Sequence, residues 1–210
     1  MKINITFLQG SKYISVLLIA LFAFSCGSKK AAIVPQKTEI AIPIKAPSVI
    51  QIKYGKILGV VPDSVTNTRL YNFIDSWVGK PYKMGGETEK GIDCSSFTQL
   101  LYSKVYNLYI ERTAHKQFTS KELNRFRGLD YLNEGDLLFF QHPNNVDGYI
   151  DHVGIYLDNN KFVHSTSNKG KNKKNGVQIS DITNAYWQKL FIAAGKRKDK
   201  AQAPNTVVEQ

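Results

Sequence analysis

Gly91-Ile92-Asp93-Cys94-Ser95-Ser96-Phe97 is the stretch from which the fold of this 210-residue chain can be read. Upstream stands a turn-forming Met84-Gly85-Gly86. Downstream, Phe97, Leu100, Leu101, Val105 and Leu108 recur at helical spacing. With Ser95 as a capping residue, Cys94 falls at or beside the helix N-terminus, where free N–H groups and the helix dipole favour an anion. A thiol so placed is expected to ionise readily and to act as a nucleophile. The plain alternative is a small buried cysteine, so the question becomes whether the chain also supplies a base.

Tyr149-Ile150-Asp151-His152-Val153-Gly154-Ile155-Tyr156-Leu157 alternates as a strand, with His152, Gly154 and Tyr156 on one face. Lys161-Phe162-Val163-His164-Ser165 is its expected hairpin partner across Asp158-Asn159-Asn160. A three-residue loop with an Asn in the left-handed region pairs Leu157 with Lys161, and His152 and His164 then become diagonal neighbours on one face. A two-residue loop would put them on opposite faces. One imidazole could take the thiol proton while the second ring orients it, although two half-buried histidines held by backbone partners would look the same. Cys94, His152 and His164 could also form an open zinc site, but no closely spaced ligand pair is present and no metal or cofactor is expected. Tyr82, just before the nucleophile, could donate to an oxyanion together with the N–H of Cys94 or Ser95; core packing is the competing role. His115 and His142 read as exposed bystanders.

Lys2 and Lys12 precede an apolar run from Tyr13 to Phe24 that ends at Ser25-Cys26-Gly27. This is the anatomy of an export signal over residues 1–25, and Cys26 stands like the acylated cysteine of a bacterial lipobox. If Cys26 carries lipid, Cys94 is the single thiol of an exported protein, which favours a reactive role. Losing residues 1–25 removes only Lys2 and Lys12 and takes the net charge from +11 to +9. A basic, exported, membrane-tethered protein meets anionic lipid and wall polymer, so nucleic acid is not an expected partner. The lysine-rich 169–176 segment reads as a solvated hairpin tip.

Residues 26–62 read as a linker followed by an extended arm or strand over 49–61, residues 63–197 as the folded domain, and 198–210 as a disordered tail. Within the domain, Asp63-Ser64 should cap a helix carrying Leu70, Phe73, Ile74 and Trp77, and a short helix should follow Arg112-Thr113. A polar loop is expected up to Asp136. Strands are then expected over 137–140, 149–157, 161–165, 177–180 and 190–196. Helices first and strands afterwards imply an α+β domain on an antiparallel sheet.

The ordered set Pro81-Tyr82-x-x-Gly85-Gly86, Gly91-x-Asp93-Cys94-Ser95, Arg112-Thr113-x-x-x-x-Gln117, Gly135-Asp136-Leu137-x-Phe139-Phe140, His152-Val153-Gly154-Ile155-Tyr156 and Phe162-Val163-His164 resembles the NlpC family of cell-wall cysteine peptidases, over residues 67–197. The resemblance implies a trimmed papain-like fold, with Cys94 as nucleophile, His152 as base and His164 as the third member. It implies peptidoglycan stem peptides as substrate, with Asp93, Ser95 and Arg112 lining the cleft. The bond would be γ-D-glutamyl–diaminopimelate or a D,D cross-link, cut by a monomer tethered in the cell envelope through lipid on Cys26. Met84 and Ser96 depart from the family's usual aromatic and glycine. A wall-binding protein without turnover, or an amidase or acyltransferase of the same fold, would share these residues.

Overall fold

The computed structural model describes residues 46–145, 148–167 and 175–199. The expected signal segment, Cys26, most of the linker, residues 169–174 of the lysine-rich segment and the tail beyond Asp199 lie outside the described residues.

Ser48 opens the first element by a reciprocal cap. Its N–H donates to Gln51 Oε1 at 2.9 Å, and the Gln51 N–H donates back to Ser48 Oγ at 3.5 Å. This capping box starts helix α1 (Val49–Leu58), which corrects the extended arm expected there. The β-branched residues that suggested a strand include Val49 and Ile52 on the helix's exposed side, whereas Tyr54 and Leu58, four apart, are buried. Gly59 ends α1 at φ 72, and Asn159 Nδ2 donates to the Leu58 carbonyl at 2.7 Å. The Tyr54 ring lies 4.8 Å from that of Tyr71. The helix is therefore part of the core.

Pro62–Ser64 forms a single 3-10 turn, and the cap of helix α2 (Thr68–Trp77) is Asn67, whose Oδ1 accepts the Leu70 N–H at 3.1 Å. Expecting Asp63-Ser64 as the cap placed the helix start too early. Its buried positions, Leu70, Tyr71, Ile74 and Trp77, follow the helical period. After a small hairpin of β1 (Glu87–Thr88) and β2 (Gly91–Ile92), helix α3 (Cys94–Leu101) begins and runs on as a π turn over Tyr102–Tyr106. Its cap is Asp93 rather than Ser95. Helix α4 (Ala114–Thr119) is capped by Thr113.

Strands β3 (Leu123–Phe126), β4 (Leu137–Phe140), β5 (His152–Tyr156), β6 (Lys161–Thr166), β7 (Gly176–Asp181) and β8 (Phe191–Arg197) form one antiparallel sheet in the order β3-β8-β4-β5-β6-β7. The edge strand β3 occupies the expected polar loop, and helix α5 (Ala185–Leu190) precedes β8 where no helix was expected. Lys198 N–H still bonds the Glu122 carbonyl at 3.1 Å, so order continues past Arg197. One sheet face packs Leu137, Phe139, Val153, Ile155 and Val163 with Phe97, Leu101, Ile74 and Tyr54 of the helices. The other packs Leu138, Phe140, Phe162 and Ala194 with Ile182, Leu190 and the half-buried Trp187. The alternation of β5 thus sends Val153 to the first core and His152 to the face that carries Trp187.

Because Tyr54 is 1% exposed and packs its ring against that of Tyr71, Tyr54→Ala should lower stability by about 3–4 kcal/mol in urea unfolding. An unchanged midpoint would mean that α1 is only loosely attached.

Candidate active site

Cys94 is the first helical residue of α3 and is only 6% exposed. Its thiol donates to the Asp151 carbonyl at 3.9 Å, and the N–H groups of Val153 and Ser95 point at the sulfur. The sulfur therefore rests against the main chain on both sides of His152. Its electrostatics correct the sequence expectation. Burial pushes the thiol up to about 12, the Asp93 and Asp151 carboxylates add to this, and the Val153 and Ser95 N–H groups oppose it without prevailing. A helix N-terminus favours one anion, and here the Asp93 carboxylate already holds that place.

The β5–β6 connection is the three-residue form. Leu157 N–H donates to the Lys161 carbonyl at 2.8 Å, and both Asn159 (φ 44) and Asn160 (φ 63) are left-handed. Ile155 pairs with Val163 and Tyr156 with Phe162, a register that sets Gly154 against His164. His152 Nε2 and His164 Nδ1 lie 2.8 Å apart. His164 Nε2 continues to Ser180 Oγ at 2.9 Å. His152 Nδ1 is therefore the ring nitrogen not engaged with His164. Gly154 allows this contact: a Cβ there would lie 3.2 Å from His164 Cβ and 2.7 Å from the Phe162 ring. Burial lowers His152 to about 3, with the nearby His142 adding to it, and burial followed by His152 holds His164 well below its ordinary range. Both rings are neutral at rest. Trp187 seals them, stacked on His152 at 5.5 Å and edge-on to His164 at 4.8 Å.

Asp93, Ser95 and Arg112 engage one another. Asp93 Oδ1 accepts from the Ser96 N–H (2.7 Å), Ser95 Oγ (3.1 Å) and Arg112 Nη1 (3.3 Å); Oδ2 accepts from the Gly85 N–H (3.1 Å) and Arg112 Nη2 (2.9 Å). Although burial pushes the other way, the Arg112 and Ser96 bonds hold the Asp93 carboxyl below its ordinary value. Ser95 Oγ also accepts from Arg112 Nη1 at 3.1 Å, and Arg112 Nε donates to Glu87 Oε1 at 2.7 Å. The network clamps the turn at Gly85, the cap of α3 and the β1 strand together. Tyr82, half-buried, is pushed up to about 12 by burial and by the neighbouring Cys94, Asp93 and Asp151, so its hydroxyl remains a donor, at present to Met84 Sδ at 3.5 Å.

His142 is not the isolated bystander expected from sequence. Its Nδ1 lies 2.9 Å from Asp151 Oδ2, its Nε2 3.2 Å from the Tyr186 hydroxyl, and its ring 6.1 Å from that of His152. His115 stacks on Tyr149 at 4.6 Å and accepts the Ile150 N–H at 3.3 Å. Ser180, Trp187 and Asp151 also escaped sequence reading. Asn184 before Ala185-Tyr186-Trp187 is a cap signal that could have flagged α5; nothing local marks Ser180, which reaches His164 through the register of β7 against β6. Among the described residues no group of three His, Cys, Asp or Glu side chains is arranged to hold a metal ion.

Residues 79–196 match the model of the NlpC/P60 family. The chain is 35% identical over 123 residues to the "Probable endopeptidase NlpC homolog" of Haemophilus influenzae, covering 58% of each protein. It is 28% identical over 181 residues to the Escherichia coli K12 "Murein DD-endopeptidase MepS/Murein LD-carboxypeptidase", covering 86% of this chain and 89% of that one. A crystal structure of an NlpC/P60 family protein from Bacillus cereus aligns with a TM-score of 0.52 at 25% identity, over 63% of this chain and 40% of the other. The chain thus spans less than two thirds of the Haemophilus protein and of the Bacillus structure.

With its thiol pushed up to about 12, the resting protein should be alkylated by iodoacetamide more slowly than a free cysteine at pH 8, with a rate that keeps rising above pH 9. A plateau at neutral pH would contradict a neutral resting thiol. The histidines act in the opposite direction. Their folded-state values are depressed, so the stability they contribute is complete above their ordinary 6.5 and is lost as pH falls towards about 3. Melting temperature should decline across that window, and His164→Asn should flatten the decline.

Proposed function

Because this chain belongs to the NlpC/P60 family and has its α+β, papain-like fold, we propose that it is a cysteine peptidase hydrolysing amide bonds in the stem peptides of bacterial peptidoglycan. The observation that carries this reading is the 2.8 Å contact between His152 and His164 beside a sulfur that abuts the main chain on both sides of His152. The substrate class follows the name of the Escherichia coli relative, a murein endopeptidase and carboxypeptidase.

Cys94 passes its proton to His152 Nδ1 as the sulfur bonds the substrate carbonyl. A lone thiolate or imidazolium is costly here, but the two formed side by side attract each other and offset much of that cost. At the start of α3 the Ser96 N–H is taken by Asp93 and the Ser95 N–H meets the sulfur, so the Cys94 N–H with the Tyr82 hydroxyl can hold the oxyanion. His152 then protonates the leaving nitrogen as the C–N bond breaks. Water, losing a proton to His152, attacks the thioester and releases the acid, and the thiol is restored. The bond is γ-D-glutamyl–diaminopimelate or a D,D cross-link. Asp93 and Ser95 hold Arg112 at the cleft wall, where its exposed part can meet a substrate carboxylate.

By the same proposal residues 1–25 are an export signal, Cys26 is acylated, and a linker tethers a monomeric domain to the membrane in the bacterial envelope. One observation favours a second reading, a wall-binding protein without turnover: the resting thiol is neutral and bonds a carbonyl, not an imidazole.

Mass spectrometry of muropeptides after incubation with purified sacculi separates the two. The wild type should release fragments, Cys94→Ala none with wall binding intact, and His164→Ala fragments at a rate reduced by roughly 10- to 100-fold. Wild-type protein that binds sacculi and releases nothing would establish the second reading.

A further inference from the structure

Beyond the three residues assigned to the chemistry, the structure places a fourth polar group in the same line: Ser180 Oγ, on the edge strand β7, 2.9 Å from His164 Nε2. We infer that Ser180 is a positioning residue that sets the tautomers of both histidines, and through them makes His152 Nδ1 the basic nitrogen. The inference rests on the proposed peptidase reading for its meaning, but the proton arrangement is a property of the free protein.

A neutral imidazole carries one ring proton, so a contact between two rings can be made in two directions. In the first, His152 Nε2–H donates to His164 Nδ1 and His164 Nε2–H donates to Ser180 Oγ. In the second, Ser180 donates to His164 Nε2, His164 Nδ1–H donates to His152 Nε2, and the His152 proton sits on Nδ1, which then cannot act as the base. The charged intermediate distinguishes them. Once His152 has taken the thiol proton, both of its nitrogens carry hydrogen. The 2.8 Å contact then survives only if His164 Nδ1 is bare. Burial keeps His164 neutral, so its single proton must lie on Nε2, and Ser180 must accept it. Ser180 is half-buried at the sheet edge, so its own hydroxyl hydrogen can turn to solvent while the oxygen accepts. The line of bonds also strengthens as charge develops, because each polarised donor makes the next a better one.

The test is ¹⁵N–¹H correlation of the histidine side chains in the full chain, with thiol alkylation and turnover measured alongside. In the wild type, His164 should carry its proton on Nε2 and His152 on Nε2. In Ser180→Ala, a detectable share of both should move to the Nδ1–H form, with kcat lowered about tenfold and KM within about twofold. Ser180→Thr, which keeps a hydroxyl and suits a strand, should restore both. A wild-type spectrum with the His164 proton on Nδ1 overturns the inference whether or not any variant folds. So does a Ser180→Ala protein whose tautomers match the wild type. If sacculi are never cleaved but the wild-type tautomers are as stated and shift in Ser180→Ala, the peptidase reading fails and the role of Ser180 stands.

Discussion

The site depends on a parity. Two left-handed asparagines close a three-residue turn between β5 and β6, and that count sets His152 and His164 on the same side of the hairpin at bonding distance. One residue fewer would invert one strand relative to the other and send one imidazole into the apolar core beneath α3. Several other features serve the same contact. Gly154 lets His164 come close, Trp187 covers the pair from the solvent side, and the stagger of β7 against β6 brings Ser180 to the far ring. The turn ties back to α1 as well, because Asn159 donates to its last carbonyl.

A second constraint fixes the sulfur. Asp93 is at once the cap of α3, the anchor of the Gly85 turn and the partner of Arg112, so Cys94 cannot move without breaking a charge-assisted network. The same carboxylate competes for the helix's positive end, and together with burial it keeps the thiol neutral. The protein therefore holds the Cys94 thiol fixed in position and uncharged. A thiol held neutral in this way does not stand as a thiolate open to oxidants or stray electrophiles.

His142 adds an ionisable group beside that pair. Paired with Asp151, whose carbonyl receives the thiol, and bonded to Tyr186 of α5, it links the loop before β5 to the helix that covers the histidines. Its charge when protonated opposes a proton on His152. The loop that delivers it and the helix that receives it are both extra to the six motifs legible in sequence.

What the chain's order of residues determined was what local pattern carries: the α+β class, the strand β4, the alternation of β5 and the helix beginning at the cysteine, while the hairpin between β5 and β6 was left with two possible parities that only its register in the fold resolved. These follow from periodicity and turn chemistry within a few residues of one another. The tertiary structure decided what local pattern cannot hold. α1 read as a strand because Val49, Ile50 and Ile52 are β-branched, yet a cap at Ser48 and a buried Tyr54 make it a core helix. Asp93, not Ser95, proved to be the cap because Arg112, nineteen positions later, steadies its charge. The thiol's ionisation reversed because burial, a sum over atoms from every element around it, outweighs the helix end that the sequence displays. Ser180 and Trp187 reach the histidines only through strand register and the packing of α5, and distance along the chain carries no trace of either.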